Sequence, residues 1–201
     1  MKAPLFTQPD TWTGGYIEAA ILLADENSPF EQLINSVWSS DELEGPYPSR
    51  EEEPENQSIV DLKQMADPDA MLYGILSLED HTQLPLLYQS FEDEHGVWVS
   101  LNVPVGSLPR GWGLQGYPFI AVTPLYKALR TVVGHISKEV AARGAIIGWL
   151  TALEYDSLAR IINGNPVPDE RWHAYLLLQP PLGYFLPNSP RPFLSSAHRG
   201  E

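Results

Sequence analysis

The stretch 123–154 constrains the fold more than any other part of this chain. Thr123 is suited to cap a helix and Pro124 to occupy its first turn, where a missing N–H costs nothing. Apolar residues then recur at helical spacing, and Gly144 is a suitable C-terminal stop. The almost wholly apolar run 145–150 follows. The sequence therefore predicts an amphipathic helix that leads directly into a buried strand.

A second strand and helix are predicted near the N-terminus. The segment Tyr16 to Ala24 is apolar on both sides, with Glu18 as its single charge, so both faces of this strand are expected to be covered. Ser28, Pro29 and Glu31 form the signature of a capping box, which indicates the start of a helix.

The remaining periodicity indicates an α+β fold in one domain, residues 1–201. A short helix is predicted over 157–163, and further strands over 71–78, 84–91, 97–103 and 172–178. We predict a mostly antiparallel sheet with two amphipathic helices packed on one face. A strand followed by a helix that opens with Ser-Pro or Thr-Pro occurs twice, which favours an elaborated ferredoxin-like plait of two β-α-β units.

Negative charge is concentrated in the first half of the chain. The net charge is −14. Between residues 41 and 95 there are fifteen acidic and two basic residues, whereas residues 96–201 carry nine basic and six acidic ones. Within the acidic part, 41–64 is rich in proline and lacks apolar periodicity, which predicts an exposed acidic loop. Direct nucleic-acid binding is disfavoured, because it depends on Lys and Arg side chains.

The chain has no cysteine, so disulfides, thiolate metal sites and cysteine nucleophiles are excluded. Neither a signal peptide nor an apolar run of membrane-spanning length is recognisable, so we expect a cytoplasmic protein with no membrane contact. The Pro-rich tail 180–201 is expected to be extended.

No motif of catalysis or cofactor binding is found in its required context. The glycines of 111–116 match a dinucleotide fingerprint, but prolines flank them where a strand and a helix are needed. Ser107 lacks the second glycine of a nucleophile elbow. The run 92–95, together with Asp80 and His81, contains metal-ligand types, yet we interpret it as an exposed turn. We therefore predict no catalytic residue, metal or cofactor.

Glu18 has two interpretations. Fully buried carboxylates are rare, which favours a position at an edge or end of the sheet with the carboxylate in water. The alternative is a buried carboxylate in a functional site.

The charge distribution favours a non-enzymatic acidic protein that docks a basic protein partner, such as a toxin. In its small size, acidity and lack of cysteine the chain resembles bacterial immunity and antitoxin proteins as a class, which implies an inhibitor. Trp98 opposes the valine side of its strand and is expected at the surface. The predicted partner-binding residues are Glu51, Glu52, Glu53, Glu55, Glu92, Asp93, Glu94 and Trp98.

Two alternatives remain open. The first is a small-ligand binder or enzyme with a pocket under the Gly- and aromatic-rich loop 105–122, lined by Trp112, Tyr117 and Phe119. Its polar groups would be Glu18, His95 or His173. The second is a structural subunit that uses the Pro-rich tail as a docking arm.

Overall fold

The computed structural model describes residues 4–24, 30–62, 71–109, 112, 123–168, 171, 173–178 and 184–186. In chain order these residues form β1 (Tyr16–Leu23), α1 (Phe30–Trp38), β2 (Leu43–Tyr47), β3 (Leu72–Ser77), β4 (Gln83–Asp93), β5 (Gly96–Pro104), α2 (Thr123–Glu139), β6 (Ala142–Trp149), α3 (Tyr155–Ile162), β7 (Ala174–Leu177) and β8 (Tyr184–Leu186). Short 3₁₀ turns lie at Pro54–Asn56, Val105–Ser107 and Thr151–Glu154.

The strands form one sheet in the order β2-β3-β4-β5-β1-β6-β7-β8, and each neighbouring pair is antiparallel. This confirms the predicted α+β class and the antiparallel sheet. The ferredoxin-like plait is not confirmed. After α1 the chain makes a four-stranded meander, β2 to β5, that returns to one side of β1, and β6 follows α2 on the other side.

The two faces of the sheet are covered by different elements. Ile17, Ala19 and Ile21 of β1 lie in the main core with the apolar sides of α1 and α2, and we call this side the front face. Ala20 and Leu22 point the other way and pack with α3, on what we call the back face. Because side chains alternate along a strand, both coverings are needed to bury β1.

At the β2 end, the back face is covered by the N-terminal segment. Phe6 is buried there, and its ring meets Trp12 and Tyr47 edge to face at centroid distances of 5.9 and 6.0 Å. Trp12 meets Tyr73 of β3 in the same way at 5.5 Å. Edge-to-face pairs of this kind are a favourable aromatic geometry. The N-terminal segment is therefore part of the packed structure.

Two local predictions differ from the structure. Gly144 is suited to stop α2, but α2 ends at Glu139 and Gly144 lies within β6. Its missing side chain makes room for Ile162 of α3. The predicted acidic loop contains strand β2, which is short, lies at the sheet edge and includes a proline, as edge strands tolerate.

Two further predictions fall wholly or partly on residues that the structure does not describe. The capping-box residues Ser28 and Pro29 lie outside the described residues, as does most of the tail 180–201, of which 184–186 form β8. Among the described helices, none has both the length and the apolar character that crossing a membrane requires.

Two glycines test the packing. A Cβ on Gly74 of β3 would collide with the Trp38 ring and lie 2.8 Å from the carbonyl oxygen of Glu44, so Gly74→Ala has no room. We expect it to lower the free energy of unfolding by about 1–3 kcal/mol in urea denaturation. Gly134→Ala in α2 is the matched control: no atom lies within 4 Å of its added Cβ, and helix propensity predicts a gain of about 0.5–1 kcal/mol. Equal stability of the two variants would contradict this packing.

Candidate functional site

The acidic segment 41–62 is held in a fixed conformation against the N-terminal segment. The Glu53 carboxylate accepts hydrogen bonds from the backbone N–H groups of Leu5 at 2.8 Å, Phe6 at 3.1 Å and Thr7 at 2.7 Å, and from the Thr7 hydroxyl at 2.7 Å. Burial alone would raise the pKa of Glu53, but these donors together lower it below its ordinary value. Glu53 is therefore an ionised anchor.

Further hydrogen bonds order the rest of this segment. The Gln57 side chain accepts from the Ser49 N–H at 3.0 Å and donates to the Ser49 carbonyl at 2.8 Å. The Val60 N–H donates to the Pro46 carbonyl at 2.9 Å. Segment 41–62 carries eight carboxylates and the single guanidinium of Arg50. Asp41 and Glu42 line a separate hollow with Lys127, Arg130 and Lys138 of α2, so they do not share one surface with the rest. We call the part that carries Glu44, Glu51, Glu52, Glu53 and Glu55 the acidic face.

The acidic face contains a hollow of about 360 Å³ beside strand β2. Its walls carry the carboxylates of Glu44, Glu53 and Glu55, and its apolar lining includes Tyr47 and Ile75. The Tyr47 hydroxyl donates to Glu44 at 2.7 Å, and burial, this hydrogen bond and the charges of Glu44 and Glu55 all raise the pKa of Tyr47. No lysine or arginine is among the described residues that line the hollow.

The second predicted acidic group, Glu92, Asp93 and Glu94, lies elsewhere. It is exposed in the turn at the C-terminal end of β4, whereas Gln83 at the other end of that strand lines the hollow. The eleven residues of β4 span roughly 33 Å. The predicted acidic residues therefore do not form one surface.

The suggested metal-ligand combination is also separated by β4. Asp80 and His81 lie before the strand, and His95 lies after it. Glu94, His95 and Asp156 do have ligand atoms within 4.8 Å of one another. Asp156 lies 3.2 Å from Nε2 of His95, within hydrogen-bond distance, and pairs with Arg160 at 2.5 Å, so these contacts connect α3 with the β4–β5 turn.

The structure describes two of the four predicted aromatic site residues, Trp98 and Trp112. The expectation that Trp98 is exposed is wrong: it is fully buried on the back face and stacks on Tyr155 at 4.4 Å, because α3 covers this side of β5. Trp112 is half-buried and packs against the front-face core. Tyr117 and Phe119 lie outside the described residues.

Glu18 lies at the centre of a buried polar cluster. The interpretation that its carboxylate is in water is wrong, because β1 is a central strand and Glu18 is only 5% exposed. One oxygen accepts hydrogen bonds from Ser100 at 2.6 Å and from the hydroxyl of Tyr155, and the other accepts from Thr151 at 2.6 Å. Asn102 donates to Ser100 at 2.8 Å.

Three elements bring these hydroxyls together. Ser100 lies on β5, paired with Ala20, and therefore shares the back face with Glu18. After β6, Leu150 adopts a left-handed conformation with φ of 48°, which is uncommon for a branched residue. This turn leads the chain into the 3₁₀ segment and α3, where Thr151 and Tyr155 reach the carboxylate. Burial and the adjacent Glu18 raise the pKa of Tyr155, so it remains a hydroxyl donor.

His173 joins this cluster across Gly148. Glu18 pairs with Gly148 on one side, and the register of β6 with β7 extends to His173 on the other. A Cβ on Gly148 would fall on Nδ1 of His173, so the glycine is what allows the imidazole to lie over the sheet. Burial lowers the pKa of His173 to about 4, and the Glu18 charge only partly offsets this. Nδ1 is buried and has no hydrogen-bond partner among the described residues.

Sequence reasoning identifies Glu18 and His173 as possible polar groups but not the hydroxyls around them. Ser100 and Asn102 are recognisable only as the polar side of β5. Thr151 and Tyr155 come from the segment after β6, and their convergence depends on the turn at Leu150. No sequence pattern signals that turn.

No family model, curated protein sequence or solved structure matches this chain.

His173 predicts a specific dependence of stability on pH. Its pKa falls from an ordinary value of 6.5 to about 4 on folding, so the unfolded state binds the proton more tightly. The contribution of His173 is complete above pH 6.5 and declines by about 3 kcal/mol as the pH falls to 4. His173→Phe is expected to flatten the free energy of unfolding across this window, measured by urea denaturation. The exposed His81→Asn is the control, and an unchanged slope in His173→Phe would contradict the prediction.

Proposed function

We propose that this chain is a non-enzymatic binding protein that docks a basic protein partner on its acidic face, as an inhibitor of a toxin would. The observation that carries the proposal is the carboxylate-lined hollow beside β2 without a lysine or arginine among its described lining residues. Exposed carboxylates in an ordered concave surface favour a cationic side chain of a partner.

The lining of the hollow is suited to a long basic side chain. The carboxylates of Glu44 and Glu55 lie at its exposed rim, whereas Tyr47, Pro54 and Ile75 supply apolar contacts. Arginine and lysine have an aliphatic stem that packs on apolar surface and a charged end that pairs with carboxylates. A partner's basic residue would therefore serve as the anchor of the interface.

The order of the acidic face supports binding energetically. Immobilising a flexible segment on binding costs free energy for each side chain that is ordered. Here the hydrogen bonds of Glu53 and Gln57 hold the segment before a partner arrives. Glu53 thus contributes mainly as an anchor of the surface, while Glu51, Glu52 and Glu55 are exposed and face solvent.

The charge of the acidic face also favours rapid association. The five glutamates of the acidic face, beside the guanidinium of Arg50, attract a basic protein over a Debye length, which is about 8 Å at physiological salt. The distant turn with Glu92, Asp93 and Glu94 adds to the overall field. In this proposal the turn makes no direct contact with the partner's basic side chain that enters the hollow.

A matched pair of double variants tests the proposal with a fluorescent oligoarginine peptide as the probe. Glu44→Gln/Glu55→Gln is expected to weaken binding about tenfold and to reduce its salt dependence, because both carboxylates line the hollow. Glu92→Gln/Glu94→Gln removes the same charge at the far end of β4 and is expected to weaken binding much less. The measurement is the dissociation constant at several salt concentrations. An equal loss in the two double variants would show that only net charge matters and would reject the docking site.

A further inference from the structure

We infer that the back face contains a second site, in which Glu18 and His173 bind the primary ammonium group of a small organic molecule. The site is separate from the acidic face. The register from Tyr47 through β3, β4 and β5 to Glu18 crosses four strand spacings, or about 19 Å. The inference therefore does not rest on the proposed docking function.

The charge of Glu18 points to a cationic ligand. Its carboxylate is buried, and its hydrogen-bond partners Ser100, Thr151 and Tyr155 are all neutral hydroxyls. It forms no salt bridge within the described residues. Hydroxyl donors satisfy the oxygens but do not compensate the charge, and a buried charge is costly without a counter-charge. An ammonium group at this position supplies that counter-charge.

Glu18 and His173 offer two free acceptors to an ammonium group from neighbouring positions on the back face. One carboxylate oxygen accepts two hydroxyls but the other accepts only Thr151, which leaves one acceptor position. Nδ1 of His173 is buried without a partner among the described residues. His173 is neutral near pH 7 because burial lowers its pKa to about 4, so Nδ1 accepts when the proton is on Nε2. Each of these two acceptors can take one N–H of an ammonium group.

Aromatic side chains lie beside Glu18 on the back face. Trp98 and Tyr155 stack at 4.4 Å with an interplanar angle of 17°, and Phe91 stacks on Tyr155 at 5.6 Å. Aromatic faces favour cations, and desolvation strengthens that attraction. Trp98 is fully buried, whereas Tyr155 is half-buried and brings the cluster to the surface of the protein. The organic part of the ligand would leave the site beside Tyr155.

The test uses the full chain and methylammonium chloride as the probe, followed by NMR. We expect saturable shifts at the amides of Glu18, Thr151 and Tyr155 and at the His173 ring. Glu18→Gln preserves the shape of the side chain and removes its charge, so it is expected to weaken binding by about tenfold or more. Glu92→Gln, an exposed carboxylate on the distant turn, is the control and is expected to bind like the parent.

Two further salts and a second variant separate ammonium binding from a general effect of cations. Tetramethylammonium has the charge but no N–H donor, so it is expected not to saturate these signals, and sodium chloride controls for ionic strength. If Glu18→Gln does not fold, as thermal denaturation would reveal, His173→Phe decides, because it removes one acceptor and leaves the carboxylate. The inference is overturned if methylammonium gives only the shifts seen with sodium chloride. It is overturned equally if binding survives in each folded variant.

Discussion

Strand β1 must be buried on both faces, and its single charged side chain must therefore be accommodated inside the protein. β1 pairs with β5 and β6, while α1 and α2 cover one face and α3 the other. Glu18 points towards the α3 side, where a bare carboxylate would be costly. The hydroxyls of Ser100, Thr151 and Tyr155 meet it there. Thr151 lies in the 3₁₀ turn before α3, and Tyr155 is the first residue of α3. Their hydrogen bonds to Glu18 therefore also hold α3 against the sheet.

The structure uses carboxylates in two physically distinct ways. On the acidic face, the carboxylates of Glu44 and Glu55 are exposed to water, where charged groups act over a distance. At the centre of the sheet, Glu18 is removed from water and interacts only at short range with hydroxyls. Glu53 is intermediate, because its carboxylate binds the backbone N–H groups that fix the N-terminal segment. Environment, rather than residue type, sets the role of each group.

Periodicity is sufficient to predict the regular elements but not their arrangement. The alternation in β5 and the helical spacing in α2 are local signals, and both elements are found where they are expected. The ferredoxin-like plait is not confirmed. The strand order depends on which strand of the β2–β5 meander pairs with β1, and no local sequence pattern specifies that pairing. Gly144 resembles a helix stop in the sequence, but contact with Ile162, a tertiary effect, is what requires a glycine there.

The candidate site is predictable only in part for the same reason. The acidic composition of 41–62 is visible in the sequence, but its order depends on Glu53 reaching residues about fifty positions earlier in the chain. Trp98 is expected at the surface because its strand alternates, and α3 covers that side. Glu18 stands out as an isolated charge, yet its burial follows from the central position of β1, which only the strand order reveals.

The central claim is that the Glu18 carboxylate is buried and accepts hydrogen bonds from three hydroxyls. NMR of the hydroxyl protons tests this claim directly. With the Glu18 carboxylate labelled with ¹³C, the account predicts slowly exchanging hydroxyl protons of Ser100, Thr151 and Tyr155 that correlate with that carbon. The exposed hydroxyl of Ser58 provides the rapidly exchanging reference. Hydroxyl protons at all three residues that exchange as fast as that of Ser58 would contradict the account, because they would place the carboxylate in water.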